Sequence, residues 1–546
     1  MSADITTLQN MTRITIDNLK ATTTAYGLAG SGNEYLIMVQ AFLYKFLNDK
    51  FIFEAKKEWK PLAKAPDPYL FIEKMPAKDY QTMCDLMGAN ILLEKEHLVP
   101  FVAARQNEPN FAQLFDATFE SIADRNKDIF YISTVDNTNV AVLHSLSQYI
   151  TGGTEKKNEF CKALITALSF FSFEEAFSMG YDFFSTVFEY LIKDYNANGG
   201  GAYAEYYTPH SIALIMAQLL VDKTHDLKNI TCYDPAAGTG TLVIALAHII
   251  GPDRCTVYTQ DISDKSSTMM LLNLILNGSI GSLKNVVQGN TLTQPFHRNE
   301  GGSLLKFDYV VSNPPFKNDF SNDRQKLVND TNKGRFFAGI PKIKPKDKDK
   351  MEIYLCFIQH VIYSLNDHGK AAVVVPTGFL TIKNGIGLKI RQHLVDNKIL
   401  RGVISMPSNI FANTGTNVSV LFMDKTNEDD RVSLIDASKL GTDQTIGKNK
   451  KTVLSDVDVA KIVDTFKAKA IIEDFSVAPT YDEIKEKGYS FSAGQYFDIR
   501  IEYEDITEEE FRKRMGEYER KLDELFEEKN GLESKVKNIF KSCKYN

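Results

Sequence analysis

Apolar positions divide the chain into three regimes. From Asn33 to Trp59 they recur at steps of three and four, through Leu36, Met38, Phe42, Leu43, Phe46 and Leu47, the spacing of a helix with one buried face. A second apolar stretch from Leu164 to Ile192 also predicts helix. Gly152-Gly153 and the run Asn196-Ala197-Asn198-Gly199-Gly200-Gly201 are the clearest breaks. After Gly201 short apolar runs alternate with helix-length segments. Strands are predicted at Ile230–Tyr233, Thr256–Thr259, Phe307–Val311 and Ala371–Val375, with Val403–Ile404 and Val418–Met423 extending the sheet. Thr241–Ile250 reads as an apolar helix between the first two strands. Strands separated by helices predict a mostly parallel, doubly wound α/β sheet, which binds its ligands beyond the carboxyl ends of its strands. The third regime begins at Thr507, where Thr507 and Glu510 form a capping box. Phe511, Met515, Tyr518, Leu522, Leu525, Leu532, Val536 and Ile539 then follow a heptad seam with one polar interruption at Lys529. Such a seam suits packing on the chain's own domain and docking of a partner helix equally well. The expected division is a helical N-terminal domain over 1–155, an α/β domain over 156–480 and a C-terminal coiled-coil-like helical segment over 481–546.

Composition narrows the class. No run approaches the roughly 20 apolar residues of a membrane span, and Met1-Ser2-Ala3-Asp4 does not begin a secretory signal. The six cysteines never pair as C-x-x-C and the nine histidines show no metal-ligand spacing. A cytoplasmic protein with reduced thiols, no bound metal and no membrane partner is expected. The net charge of −7 disfavours nucleic acid if spread evenly. It is not even: residues 317–350 hold ten Lys/Arg against five Asp/Glu. That stretch is either a solvated mobile loop or a local patch for phosphates.

Two motifs carry chemistry. Asp234-Pro235-Ala236-Ala237-Gly238-Thr239-Gly240-Thr241-Leu242 follows a strand and opens a helix. Gly238 and Gly240 permit a tight turn and close approach of a ligand to bare backbone. No Lys follows Gly240, so this is not a phosphate-binding P-loop, and Val243 replaces the third glycine of a dinucleotide fingerprint. Asp261 ends the next strand, 21 residues after Gly240, where a carboxylate accepts ribose hydroxyls. Asp234 repels a pyrophosphate and suits a cation. A nucleoside bearing a sulfonium and an ammonium, as S-adenosyl-L-methionine does, fits both carboxylates. Asn290, after Val286-Val287, is placed to bond an adenine ring.

The second motif, Asn313-Pro314-Pro315-Phe316, follows another strand, and its prolines fix the backbone. An exocyclic amine on an aromatic base is a poor nucleophile because its lone pair is delocalised. Two acceptors aimed at its hydrogens, the side-chain oxygen of Asn313 and the carbonyl of Pro314, draw the nitrogen towards tetrahedral geometry. Phe316 offers a stacking face worth roughly 1–3 kcal/mol. No Pro-Cys dipeptide occurs, so the covalent route to cytosine C5 is excluded. A base inside a duplex reaches such a pocket only when flipped out.

These residues resemble the amino-methyltransferases, whose signatures are D-P-A-x-G-x-G and (N/D/S)-P-P-(Y/F), in the order of the gamma group that includes adenine-N6 enzymes. Ala204-Glu205-Tyr206-Tyr207-Thr208-Pro209-His210 is similar to a G-E/Q-F/Y-Y/F-T-P-R segment of the modification subunit of type I restriction–modification systems. Ala204 and His210 depart from its Gly and Arg, and Asn290 stands where a carboxylate is common. Gly369–Pro376 and Ile404–Pro407 also match. The resemblance implies a Rossmann-like methyltransferase fold and S-adenosyl-L-methionine as cofactor, with Glu205 to His210 closing over it. It implies double-stranded DNA as substrate. It further implies a separate specificity subunit gripped by the C-terminal helix, a second methyltransferase subunit and a restriction subunit. A protein glutamine, an RNA, or DNA read by this chain unaided are the competing substrates.

Overall fold

The computed structural model describes residues 5–29, 31–88, 91–136, 138–170, 172–178, 208–222, 227–411, 417–446, 449–497 and 506–542. Glu205, Tyr206 and Tyr207 lie outside these residues, as does 179–192 of the second predicted helix. The chain divides into two units, Met1–Tyr496 and Phe497–Asn546.

The first unit is built on an eleven-stranded sheet. Its strands in chain order are β1 (Tyr131–Thr134), β2 (Asn139–Ala141), β3 (Ile230–Asp234), β4 (Cys255–Asp261), β5 (Val286–Gln288), β6 (Phe307–Ser312), β7 (Leu365–Pro376), β8 (Leu400–Ser405), β9 (Val418–Asp424), β10 (Ser433–Asp436) and β13 (Ser476–Val477). A separate hairpin joins β11 (Thr442–Ile446) to β12 (Asn449–Val453). The spatial order is β13-β10-β8-β9-β7-β6-β3-β4-β5-β1-β2. The central run from β7 to β1 is parallel, and β9 is inserted antiparallel between β7 and β8. Every strand predicted from the sequence is present.

Both faces of the sheet are covered, which is why its strands read as nearly continuous apolar runs. Tyr309, Val311, Ala372, Val374, Val420 and Phe422 share one core with the first-face helices. Those helices include α5 (His210–Leu220), α6 (Thr241–Ile250), α7 (Asp264–Leu276) and α10 (Asp456–Ala468). The intervening Val310, Ala371, Val373 and Leu421 are also fully buried, on the opposite face. There α8 (Tyr354–Ser364) packs on β6 and β7 and on α9 (Gly385–Asp396).

The N-terminal region is mainly helical, through α1 (Ile5–Ala25), α2 (Gly32–Glu58), α3 (Phe111–Arg125) and α4 (Thr154–Leu168). It joins the first-face core without a break, and α2 packs on α7. It also adds β1 and β2 to the sheet edge, with β1 parallel to β5. The sequence reading did not include these strands. Gly289, at φ +153°, makes the junction feasible: a Cβ there would sit 2.2 Å from Val135 Cγ1. Within the described part of the stretch predicted as helix from Leu164, the helix ends at Leu168. The cause is tertiary: the buried carboxylate of Asp49 accepts from Phe173 N at 2.8 Å, capturing the chain for a short 3-10 turn at Glu174–Ser178.

Among its described residues the second unit holds one helix, α11 (Glu508–Ser542). Thr507 Oγ1 accepts from Glu510 N at 3.3 Å, one of the two bonds of the expected capping box. Phe511, Met515, Tyr518, Leu522, Leu525, Leu532 and Val536 are all at least half exposed.

Candidate active site

The strand order reverses at β3. β4 lies on one side of it and β6 on the other, so their carboxyl ends open a crevice. β3 ends at Asp234, β4 at Asp261 and β6 at Ser312, directly before the tetrapeptide. The two motifs, far apart in sequence, therefore meet at one edge of the sheet.

The loop after β3 is held by hydrogen bonds that leave its inner side bare. Ala236 N donates to Asp234 Oδ1 at 3.0 Å, and Gly238 N donates to Asp261 Oδ2 at 2.8 Å. Asp261 Oδ1 accepts from Ser263 N at 2.8 Å, so this carboxylate ties two loops together. Gly240 turns the chain into α6 at φ +84°, where an added Cβ would sit 2.0 Å from Met270 Sδ. The carbonyl of Thr239 accepts from the buried Asn273 Nδ2 at 3.0 Å.

Burial dominates the electrostatics. It pushes the Asp234 carboxyl up to about 8, with the neighbouring Asp261 charge adding to the rise against the Ala236 N–H. Burial raises Asp261 as well, against the hydrogen bonds from Ser263 and Gly238. Two carboxylates thus share one site where their charge is unfavourable unless a cation or hydroxyl donors arrive.

The tetrapeptide forms the other side. Asn313 Nδ2 donates to Thr208 Oγ1 at 3.1 Å. With its nitrogen engaged there, the amide keeps Oδ1 as its acceptor end. Phe316 meets Tyr354 edge to face, with centroids 6.3 Å apart at 78°, and Tyr354 meets Phe379 likewise at 6.2 Å and 86°.

A cavity of about 780 Å³ joins both sides. Of the residues singled out from the sequence, Thr208, Asp234, Ala236, Gly238, Thr241, Asp261 and Asn290 line it, with Asn313, Pro314, Pro315 and Phe316 opposite. Pro209 and His210 instead begin α5, and Thr239 and Gly240 shape the turn behind the wall. Asn290 Oδ1 accepts from Leu292 N at 3.0 Å and Thr293 N at 3.2 Å, so its oxygen caps the turn after β5. The sequence reading missed the aromatic walls Tyr354, Phe357, Phe379 and Phe411. Phe379 follows the carboxyl end of β7 by three residues, and that position was the available signal. Tyr354 carried none, because it is one apolar residue of a helix buried on the sheet.

The family model described as N-6 DNA Methylase matches residues 179–505. The chain is 26% identical over 535 residues to the type I restriction enzyme MjaIX methylase subunit of Methanocaldococcus jannaschii, covering 93% of this chain and 87% of that one. It is 27% identical over 400 residues to the type I restriction enzyme MpnII methylase subunit of Mycoplasma pneumoniae, covering 71% and 69%. Among solved structures, the type I restriction-modification system methyltransferase subunit from Streptococcus thermophilus matches with a TM-score of 0.71 at 21% identity, over 91% of this chain and 100% of that one. That last likeness is one of fold.

Proposed function

This chain belongs to the N-6 DNA methylase family, and from that premise we propose that it transfers a methyl group from S-adenosyl-L-methionine to N6 of adenine in duplex DNA, as the modification subunit of a type I restriction–modification complex. The observation that supports the reading best is the cavity lined by Asp234, Gly238 and Asp261 on one side and by Asn313 and Pro314 on the other.

The residues fit the cofactor on chemical grounds. Asp234 and Asp261 are buried carboxylates, and a sulfonium nucleoside brings positive charge to the first and ribose hydroxyls to the second. The bare backbone at Gly238 lets the ligand approach closely. Asn290 and Thr208 flank it. When bound, S-adenosylmethionine supplies a methyl group electrophilic enough for a nitrogen to take directly.

The remaining work falls to the protein. Asn313 Oδ1 and the Pro314 carbonyl accept the two hydrogens of the exocyclic amine, and this frees the lone pair from the ring. Thr208 keeps the Asn313 amide from turning its nitrogen to the substrate. Phe316, Tyr354 and Phe379 give a flipped base an apolar wall and exclude water. In this assignment residues 1–155 close around the DNA and 156–480 hold the chemistry. Residues 481–546 grip a specificity subunit, with a second methyltransferase subunit and a restriction subunit completing the assembly.

The test is transfer of tritium from methyl-labelled S-adenosylmethionine to duplex DNA, with and without the proposed specificity subunit. Label in DNA only with the partner present is the expected result. Label without it makes this chain its own reader of sequence. Label in RNA or protein but never in DNA overturns the reading.

A further inference from the structure

The basic segment 317–350 runs from the tetrapeptide to α8 and exposes Lys317, Lys342, Lys344 and Lys348. It is pinned rather than free. Gln359 Oε1 accepts from Ala338 N at 2.7 Å and its Nε2 donates to Gly339 O at 2.9 Å, while Arg324 Nε donates to Pro341 O at 2.8 Å.

At its centre lies Arg335, a guanidinium only 1% exposed. Its ion pair is long, 3.4 Å from Nη1 to Asp330 Oδ2. Burying a charge so thinly paired costs stability, so its other bonds need a reason. Nη2 donates to the Thr291 carbonyl at 3.0 Å, and Thr291 Oγ1 donates to the Pro235 carbonyl at 2.6 Å. Nε donates to His360 Nδ1 at 3.0 Å. With Nδ1 accepting, the neutral ring carries its proton on Nε2, 3.3 Å from the Tyr233 hydroxyl. Tyr233, Asp234 and Pro235 are consecutive. The guanidinium therefore holds the residues on both sides of Asp234, through one intermediary each.

We propose that Arg335 and Thr291 are positioning residues that couple the basic loop to the cofactor turn, so that phosphates on the lysines and S-adenosylmethionine at Asp234 strengthen each other's binding. The proposal rests on the methyl-transfer reading. Coupling between two sites is reciprocal, so the cofactor alone must tighten the loop.

Hydrogen exchange on the full chain, with and without S-adenosylmethionine, reads this directly, and calorimetry reports binding separately. In the natural chain the cofactor is expected to slow amide exchange about tenfold or more both at 236–241 and at 324–341. Thr291→Val keeps the carbonyl that Arg335 uses but drops the bond to Pro235. It is expected to retain protection at 236–241 and lose the response at 324–341, and Thr291→Ser is expected to restore it. Arg335→Lys, which keeps the charge but not the fork, is expected to lose the loop response too, and it serves if Thr291→Val does not fold. A loop that responds equally in the natural chain and both variants, or that never responds while the cofactor binds, overturns the coupling alone. No heat of cofactor binding in the natural chain overturns the methyl-transfer reading and the coupling with it.

Discussion

Burial raises the Asp234 carboxyl well above the usual carboxylate range in the free protein, and two consequences follow. Its carboxyl is raised from 3.8 to about 8, so the stability it allows is full below the unfolded value and is lost as pH rises through the folded one. Chemical unfolding of the free protein between pH 5 and 9 is expected to show this decline, and Asp234→Asn to flatten it. The same variant is expected to weaken S-adenosylmethionine binding by about ten- to a hundredfold, as loss of a charged hydrogen-bond partner does. Stability and binding then move in opposite directions at one residue. Asn313→Ala is expected to lower the methylation rate by about 10²–10³ while calorimetry finds cofactor affinity unchanged, since the proposed assignment gives Asn313 the target amine and not the cofactor. Gly240→Ala is expected to cost more in unfolding experiments than the about 1–2 kcal/mol of a φ of +84°, because the added Cβ also meets Met270 Sδ at 2.0 Å. Asp234, Gly240 and Asn313 were legible in the sequence because each sits in a short motif whose residue types have a local reason. The bond from Asn313 to Thr208 was not, because it spans 105 positions and no periodicity reports such a distance.

Strands were legible where burial on both faces made them apolar, as in Val418–Met423. β1 was not: Tyr131-Ile132-Ser133-Thr134 is four residues long and half polar, and it is a strand only because β5 offers a parallel edge. The helix predicted from Leu164 stops at Leu168 for a similar reason, since Asp49 takes the chain away. The basic stretch 317–350 was open between a solvated loop and a phosphate patch. Its buried Leu327, Arg335 and Ala338 show a packed segment with lysines on its surface. The C-terminal helix keeps the Thr507 cap on Glu510 N and an exposed apolar seam. Leu522→Glu with Leu525→Glu is expected to leave the chain's melting temperature within about 2 °C, because both side chains are already more than half exposed. Copurification with the specificity subunit is expected to be lost, and retained copurification assigns the grip to another surface.

At the scale of the molecule, the topology does what neither motif does alone. Strand order reverses beside β3, and this reversal brings the ends of β3, β4 and β6 to one cavity. A parallel sheet covered on both faces fixes those ends, and with them the separation of a loop on one and a proline turn on another. The most direct measurement is mass spectrometry of the nucleosides released from duplex DNA after incubation with the complete assembly and S-adenosylmethionine. N6-methyladenosine in its deoxy form, accumulating about 10²–10³ times more slowly with Asn313→Ala, is the expected product. Methylation of cytosine instead, or N6-methylation at an undiminished rate with Asn313→Ala, would contradict the account.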